Sequence, residues 1–172
     1  NVFGGGASSI LFQEVREKLG LCYSIYCYPQ PFQNAGSLSI YAGLGKNYGE
    51  KALEVILKEI NKFAKEGITD DKLNINKEKL ISGYLLGLES TASRMFANAK
   101  CLLLQNKIKT AEEVTEKINK INKQDINYVL EECFKPGIIS ASYVGQDVEI
   151  DGLNKIVGLS DVAYNRDLIV ND

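Results

Sequence analysis

Apolar residues fall at helical spacing near the start of the chain, switch to strict alternation, and return to helical spacing for most of the remainder. Leu11, Val15 and Leu19 form one stripe over residues 9–19, with Ser8 or Ser9 placed to cap the helix and Gly20 to end it. Residues 21–28 then alternate, with Tyr23, Ile25 and Cys27 on one face and Cys22, Ser24, Tyr26 and Tyr28 on the other. A turn-rich segment, residues 29–36, leads into a second alternation of Leu38, Ile40 and Ala42 against Ser37, Ser39 and Tyr41. Two such runs predict an antiparallel hairpin with a longish loop.

From Tyr48 the helical period takes over. Ala52, Val55, Ile56, Ile60 and Phe63 make one stripe, closed by Gly67. Thr69, followed by Asp70 and Asp71, opens a helix with a buried face of Leu73, Leu80, Ile81, Tyr84, Leu85 and Leu88. Ser90 or Thr91 starts another, with Met95, Phe96, Ala99, Leu102 and Leu103 expected inward. Thr110-x-x-Glu113 is a capping box ahead of Val114, Ile118 and Ile121. Asn122 or Lys123 begins a last helix with Ile126, Val129, Leu130 and Cys133. Pro136-Gly137 breaks the chain before a returning strand over residues 138–144. Strands, then helices, then a strand predict an α+β domain over residues 1–172, with helices laid on one face of a mostly antiparallel sheet. Three strands are few for so many helices, so at least one more is expected from the tail or from before Asn1.

Composition narrows the functional classes. With 45% hydrophobic residues in 172, the chain can bury a core of its own. A net charge of −2 favours neither nucleic acid nor an anionic membrane as partner. Lysine is the default cation, and the three arginines are Arg16, Arg94 and Arg166. Each is a candidate for work that needs a planar, forked donor. Cys22, Cys27, Cys101 and Cys133 lack both metal and disulfide spacing and read as reduced core thiols, consistent with a cytoplasmic location. No apolar run reaches membrane-spanning length and no signal peptide is visible, while the start at Asn1 leaves the natural N-terminus open.

Chemistry concentrates near the start. The ordinary reading of Gly4, Gly5 and Gly6 is a flexible turn; the functional one is a backbone loop that approaches a ligand. Arg16 on its helix and Tyr23 on the following strand lie seven apart, which can aim a guanidinium and a phenol at one point, suited to a carbonyl oxygen gaining negative charge. Taken singly, Arg16 reads as a solvated or salt-bridged residue and Tyr23 as a core tyrosine. Arg94 is expected to pair with Glu89 or a neighbouring carboxylate. The chain has no histidine, which removes Ser–His and Cys–His dyads, and no carboxylate cluster has metal spacing.

The segment Gly4-Gly5-Gly6-Ala7-Ser8-Ser9-x-Leu11-Phe12-Gln13-Glu14-Val15-Arg16-Glu17-Lys18-x-Gly20-Leu21-x-Tyr23-Ser24 closely resembles the C-terminal domain of pitrilysin/insulinase-type zinc metallopeptidases, the inverzincins, relatives of the mitochondrial processing peptidase. The likeness continues through Tyr41-Ala42-Gly43, Glu66-Gly67-Ile68-Thr69 and Leu88-Glu89-Ser90-Thr91-Ala92-Ser93-Arg94-Met95. It implies two homologous α+β domains facing each other across a cavity, with the zinc held by the N-terminal one and absent from this chain. It assigns Arg16 and Tyr23 to the catalytic site, binding substrate backbone and oxyanion opposite the metal, and places Gly4, Gly5 and Gly6 beside them as substrate-binding residues. It also implies a missing first strand and helix, a peptide substrate, and a dimeric pairing with the zinc-binding domain in the same protein or in a partner subunit. Ile10, Leu19 and Cys22 depart from residues common in the family. Alone, the chain is expected to be inactive; the whole would be a zinc endopeptidase. The alternatives are a zinc-less partner subunit or a peptide-binding module of the same fold.

Overall fold

The computed structural model describes residues 1–135, 138, 140–145 and 150–158. A glycine turn at the N-terminus leads into a short π-wound helix, Phe12–Glu17, and then into a hairpin of β1 (Cys22–Pro31) and β2 (Gly36–Leu44). Helices α1 (Gly49–Glu66), α2 (Asp70–Gly87), α3 (Thr91–Gln105), α4 (Ala111–Lys120) and α5 (Lys123–Val129) follow, a second π-wound turn continues α5 through Leu130–Phe134, and α6 spans Ile150–Val157. The architecture is α+β, with helices packed on the inner face of the antiparallel hairpin. Among the described residues no helix is long and apolar enough to cross a membrane.

The core joins the N-terminal turn, the first helix, the hairpin and α1. Leu11 and Val15 are fully buried, surrounded by Phe3, Leu21, Cys22, Ile25, Ala52, Ile56, Ile60 and Phe63. Burial of such aliphatic side chains contributes about 1.5–3 kcal/mol each. Phe3 stacks on Phe63 with ring centroids 5.3 Å apart, and Phe134 meets both edge-on at 4.8 and 5.2 Å. These three rings tie the first residues of the chain to α1 and to the end of the α5 segment. The expected α1 stripe forms as read, and Gly67 closes the helix with φ +66° and an N–H bonded to the Phe63 carbonyl.

The caps expected at the later helices are present. Thr69 accepts from the Lys72 N–H, Ser90 from the Ser93 N–H, and Thr110 and Glu113 form a reciprocal capping box. Asn122 does the same with Asp125 at the start of α5. The first helix is different: Ser9 is buried with its Oγ unpartnered, and no side chain caps the segment.

Several expectations fail for identifiable reasons. Leu19 leaves the Leu11–Val15 stripe and is 49% exposed, because the Lys18 N–H bonds back to the Gln13 carbonyl, five residues earlier, and this wider winding rotates Leu19 off the buried face. Tyr23 does not share a face with Ile25 and Cys27. Cys22 pairs with Leu44 and Ser24 with Gly43, so Tyr23 is the extra residue of a β-bulge. The strands run further than the alternation suggested, through Pro29 and Pro31, leaving a tight turn over residues 32–35 closed by the Phe32 N–H on the Ala35 carbonyl. Proline is tolerated there because β1 pairs only with β2 among the described residues, leaving one side as an edge.

The predicted inner faces of α2 and α3 are largely uncovered. Leu73 is the one buried residue of α2, against α4, and α3 has none: Phe96 is 68% and Leu103 85% exposed. Periodicity identifies an apolar face without supplying what lies over it. Cys133 is exposed on the helix where it was expected inward; all four cysteines are free thiols. Of the expected strand over residues 138–144, Ile139 lies outside the described residues, and the others carry no strand pairing. Arg166 also lies outside them.

Gly4 is buried directly against β1, its carbonyl accepting from the Cys27 N–H at 2.9 Å. A Cβ there would stand 2.4 Å from Cys27 Cβ and backbone N, which neither can vacate. Gly4→Ala should therefore destabilise the chain by about 1–3 kcal/mol, as overpacking does. Gly83→Ala, in α2 with open space around it, should stabilise by about 0.5–1 kcal/mol. Urea unfolding midpoints of the two variants check both signs; a wild-type midpoint for Gly4→Ala contradicts the packing account.

Candidate functional site

Three local features bring Arg16 and Tyr23 together. The π-wound segment carries Arg16 in its last turn. Gly20, at φ +62°, then reverses the chain, its N–H bonding the Arg16 carbonyl at 2.9 Å while the Leu21 N–H reaches the Val15 carbonyl at 3.1 Å. Glycine adopts this left-handed conformation without steric cost. Finally, the bulge turns Tyr23 out of the sheet register just where β1 begins. The Arg16 Cζ consequently lies 5.7 Å from the centre of the Tyr23 ring.

On its other side Arg16 Cζ lies over the Phe12 ring, 4.6 Å from its centre. Both distances fall within the range of cation–π attraction. Tyr23 is 84% exposed, whereas Arg16 and Phe12 are half-buried. The neighbouring acid Glu14 is engaged by Lys18 at 2.6 Å, and among the described residues no carboxylate forms an ion pair with Arg16. The salt-bridged surface arginine of the ordinary reading is thus not what forms. Arg16 also influences the buried thiol beside it: burial raises the Cys22 pKa, and the guanidinium offsets part of that rise.

The glycine turn is tied to β1 and to the helical segment that carries Arg16. Gly6 lies at φ +147°, and both Gly5 and Gly6 are exposed, whereas Gly4 anchors the turn on β1. Gln13 Nε2 donates to the Ala7 carbonyl at 2.7 Å, and Lys79 Nζ of α2 donates to Ser8 Oγ at 2.6 Å. Arg94 stays apart on exposed α3, with no ion pair among the described residues. Glu89 precedes the helix cap, so it is not on the same face.

Phe12 and Lys79 were not singled out by sequence. The available signal for Phe12 was an aromatic residue four positions before an arginine on one helix, a spacing at which side chains meet. Nothing local marks Lys79, which reaches Ser8 across the fold. Among the described residues no three His, Cys, Asp or Glu side chains converge as metal ligands. With no histidine in the chain either, the residues present do not fit a zinc site.

Comparison with known proteins bears on this arrangement. Residues 1–80, which contain the entire site including the Lys79–Ser8 contact, match the family profile described as "Peptidase M16 inactive domain". The chain is 39% identical over 134 residues to the uncharacterized zinc protease YmxG of Bacillus subtilis, covering 78% of this chain and 33% of that protein. The chain belongs to the M16 peptidase family. Its fold is similar to that of a conserved protein from Enterococcus faecalis V583, with TM-score 0.61 and 27% identity over 76% of this chain and 30% of the other. A peptidase M16 inactive domain from Pseudomonas fluorescens gives TM-score 0.64 at 20% identity, covering 77% and 32% respectively, and supports the fold. This M16 chain thus spans about a third of the length of the relative and structures it matches.

The Gly4–Cys27 contact has a titratable reporter. Burial pushes the Cys27 thiol from 9.0 up to about 11. The unfolded chain releases this proton near pH 9, while the folded chain keeps it until about pH 11. The thiol's contribution is present below pH 9 and is lost as pH rises to about 11. Unfolding midpoints across that window should fall in the wild type and fall less in Cys27→Ala. Equal slopes would show that Cys27 is not held in a dry contact under the turn.

Proposed function

We propose that this chain is the substrate-binding half of a zinc-dependent endopeptidase that hydrolyses short or unfolded peptides. One observation carries the reading: a guanidinium with no carboxylate partner among the described residues is held beside an exposed phenol. In-plane N–H groups of Arg16 donate to a substrate backbone carbonyl, and the Tyr23 hydroxyl donates to the scissile carbonyl oxygen as it becomes a tetrahedral oxyanion. Exposed backbone at Gly5 and Gly6 lies along the same approach, with Gly4 fixing its height above β1.

A homologous domain, in the same polypeptide or in a partner subunit, would hold the zinc and supply activated water. The family membership and the zinc-protease names of relatives support that division, as does the absence of histidine from the chain. The two halves must then close on one peptide, each contributing groups the other lacks.

The test is substitution in the protein together with its zinc-binding half, using an internally quenched peptide that the wild type cleaves. Arg16→Lys removes the planar fork while keeping charge, and Tyr23→Phe removes only the hydroxyl. Each should lower turnover with circular dichroism unchanged, Tyr23→Phe by about 100-fold, the usual cost of losing one oxyanion donor. Wild-type turnover in both variants would overturn the assignment.

A further inference from the structure

We infer that Phe12 is a positioning residue for Arg16: its ring holds the guanidinium in place without using any of its hydrogen-bond donors. This inference rests on the proposed role of Arg16 and goes beyond the Arg16–Tyr23 pair.

An arginine side chain has many rotamers, so a donor that must meet a substrate carbonyl needs something to restrict it. An ion pair is the common device, but a carboxylate would occupy the same in-plane N–H groups that a ligand needs. Arg16 has no such pair among the described residues, and the nearby Glu14 is taken by Lys18. Instead its Cζ sits over the Phe12 ring at 4.6 Å, with the Tyr23 ring at 5.7 Å. A ring attracts the cation through its π face and accepts none of the in-plane hydrogen bonds.

The two rings are not equivalent supports. Tyr23 is exposed and stands at a bulge, so it has little packing of its own. Phe12 is half-buried and packs against the hydrophobic core, on the same helical segment as Arg16. The fixed support is Phe12; Tyr23 is the outer member. The wide winding between Gln13 and Lys18 belongs to the same device, because it sets how the side chains of Phe12 and Arg16 face each other while Leu11 and Val15 stay buried.

Phe12→Leu keeps an apolar side chain against the core and removes the ring; Phe12→Tyr keeps the ring; Phe12→Met replaces Phe12→Leu should that variant unfold. Two readouts are taken. In the 172-residue chain, the Arg16 Nε–Hε resonance should be displaced by ring current in the wild type and in Phe12→Tyr. It should move toward the position of a free arginine in Phe12→Leu, where only the more distant Tyr23 ring remains. In the protein with its zinc-binding half, kcat/KM for the quenched peptide should fall roughly two- to five-fold in Phe12→Leu, the scale of one exposed cation–π contact. Phe12→Tyr should restore it.

A resonance that stays at its wild-type position in Phe12→Leu overturns the inference. So does a wild-type rate in Phe12→Leu while Arg16→Lys and Tyr23→Phe are impaired; the proposed function then stands without it. An equal loss in Phe12→Tyr and Phe12→Leu also overturns it, since the ring would not be what matters. Wild-type rates in Arg16→Lys and Tyr23→Phe overturn the proposed function and this inference together.

Discussion

One constraint governs the first quarter of this chain: Leu11, Val15, Leu21, Cys22 and Ile25 must all reach the same core, although a helix, a reversal and a strand separate them. Regular geometry does not deliver this with the residues available. The helix accommodates one extra residue by π winding, and the strand accommodates another as a bulge. The winding keeps Leu11 and Val15 inside at the cost of exposing Leu19, and the bulge keeps Cys22 and Ile25 inside while an amphipathic side chain turns outward. Tyr23 is the side chain so displaced, and the left-handed turn at Gly20 brings it and Arg16 to the same place.

The rest of the fold serves as support for that corner. The Phe3–Phe63–Phe134 cluster fixes the N-terminal turn against α1, and the Gly4 carbonyl fixes it against β1. Lys79 adds a tie from α2 to Ser8. A site built on residues 4–23 is thus braced from three directions, although nearly all of its own residues come from one short stretch. This compactness also explains why a family profile covering residues 1–80 contains so much of the site.

Much of this was legible in the sequence where the chemistry is local. Capping depends on residues within one turn: the caps at Thr69 and Thr110 form, Ser90 and Asn122 prove to be the caps of the two starts left between neighbouring residues, and the cap expected at Ser8 or Ser9 does not form. The α1 stripe and the hairpin pairing follow from period alone. What the pattern missed involves added residues or absent partners. A hydrophobic stripe assumes unbroken α geometry, so Leu19 was placed inside. Alternation assumes unbroken pairing, so Tyr23 was placed beside Ile25. The apolar faces of α2 and α3 were read correctly as apolar, but burial needs a second surface that periodicity cannot specify. At the site, the Arg16–Tyr23 spacing was visible, whereas the Phe12 ring beneath Arg16 required the wound helix to be seen.

The central claim is that irregular backbone geometry holds a guanidinium and a phenol ready for one peptide group. A crystal structure of the chain together with its zinc-binding half and a bound, uncleaved peptide tests it most directly. The account predicts Arg16 N–H groups and the Tyr23 hydroxyl within about 3 Å of backbone carbonyl oxygens of that peptide. A peptide bound between the two halves with both side chains turned to bulk water would contradict it.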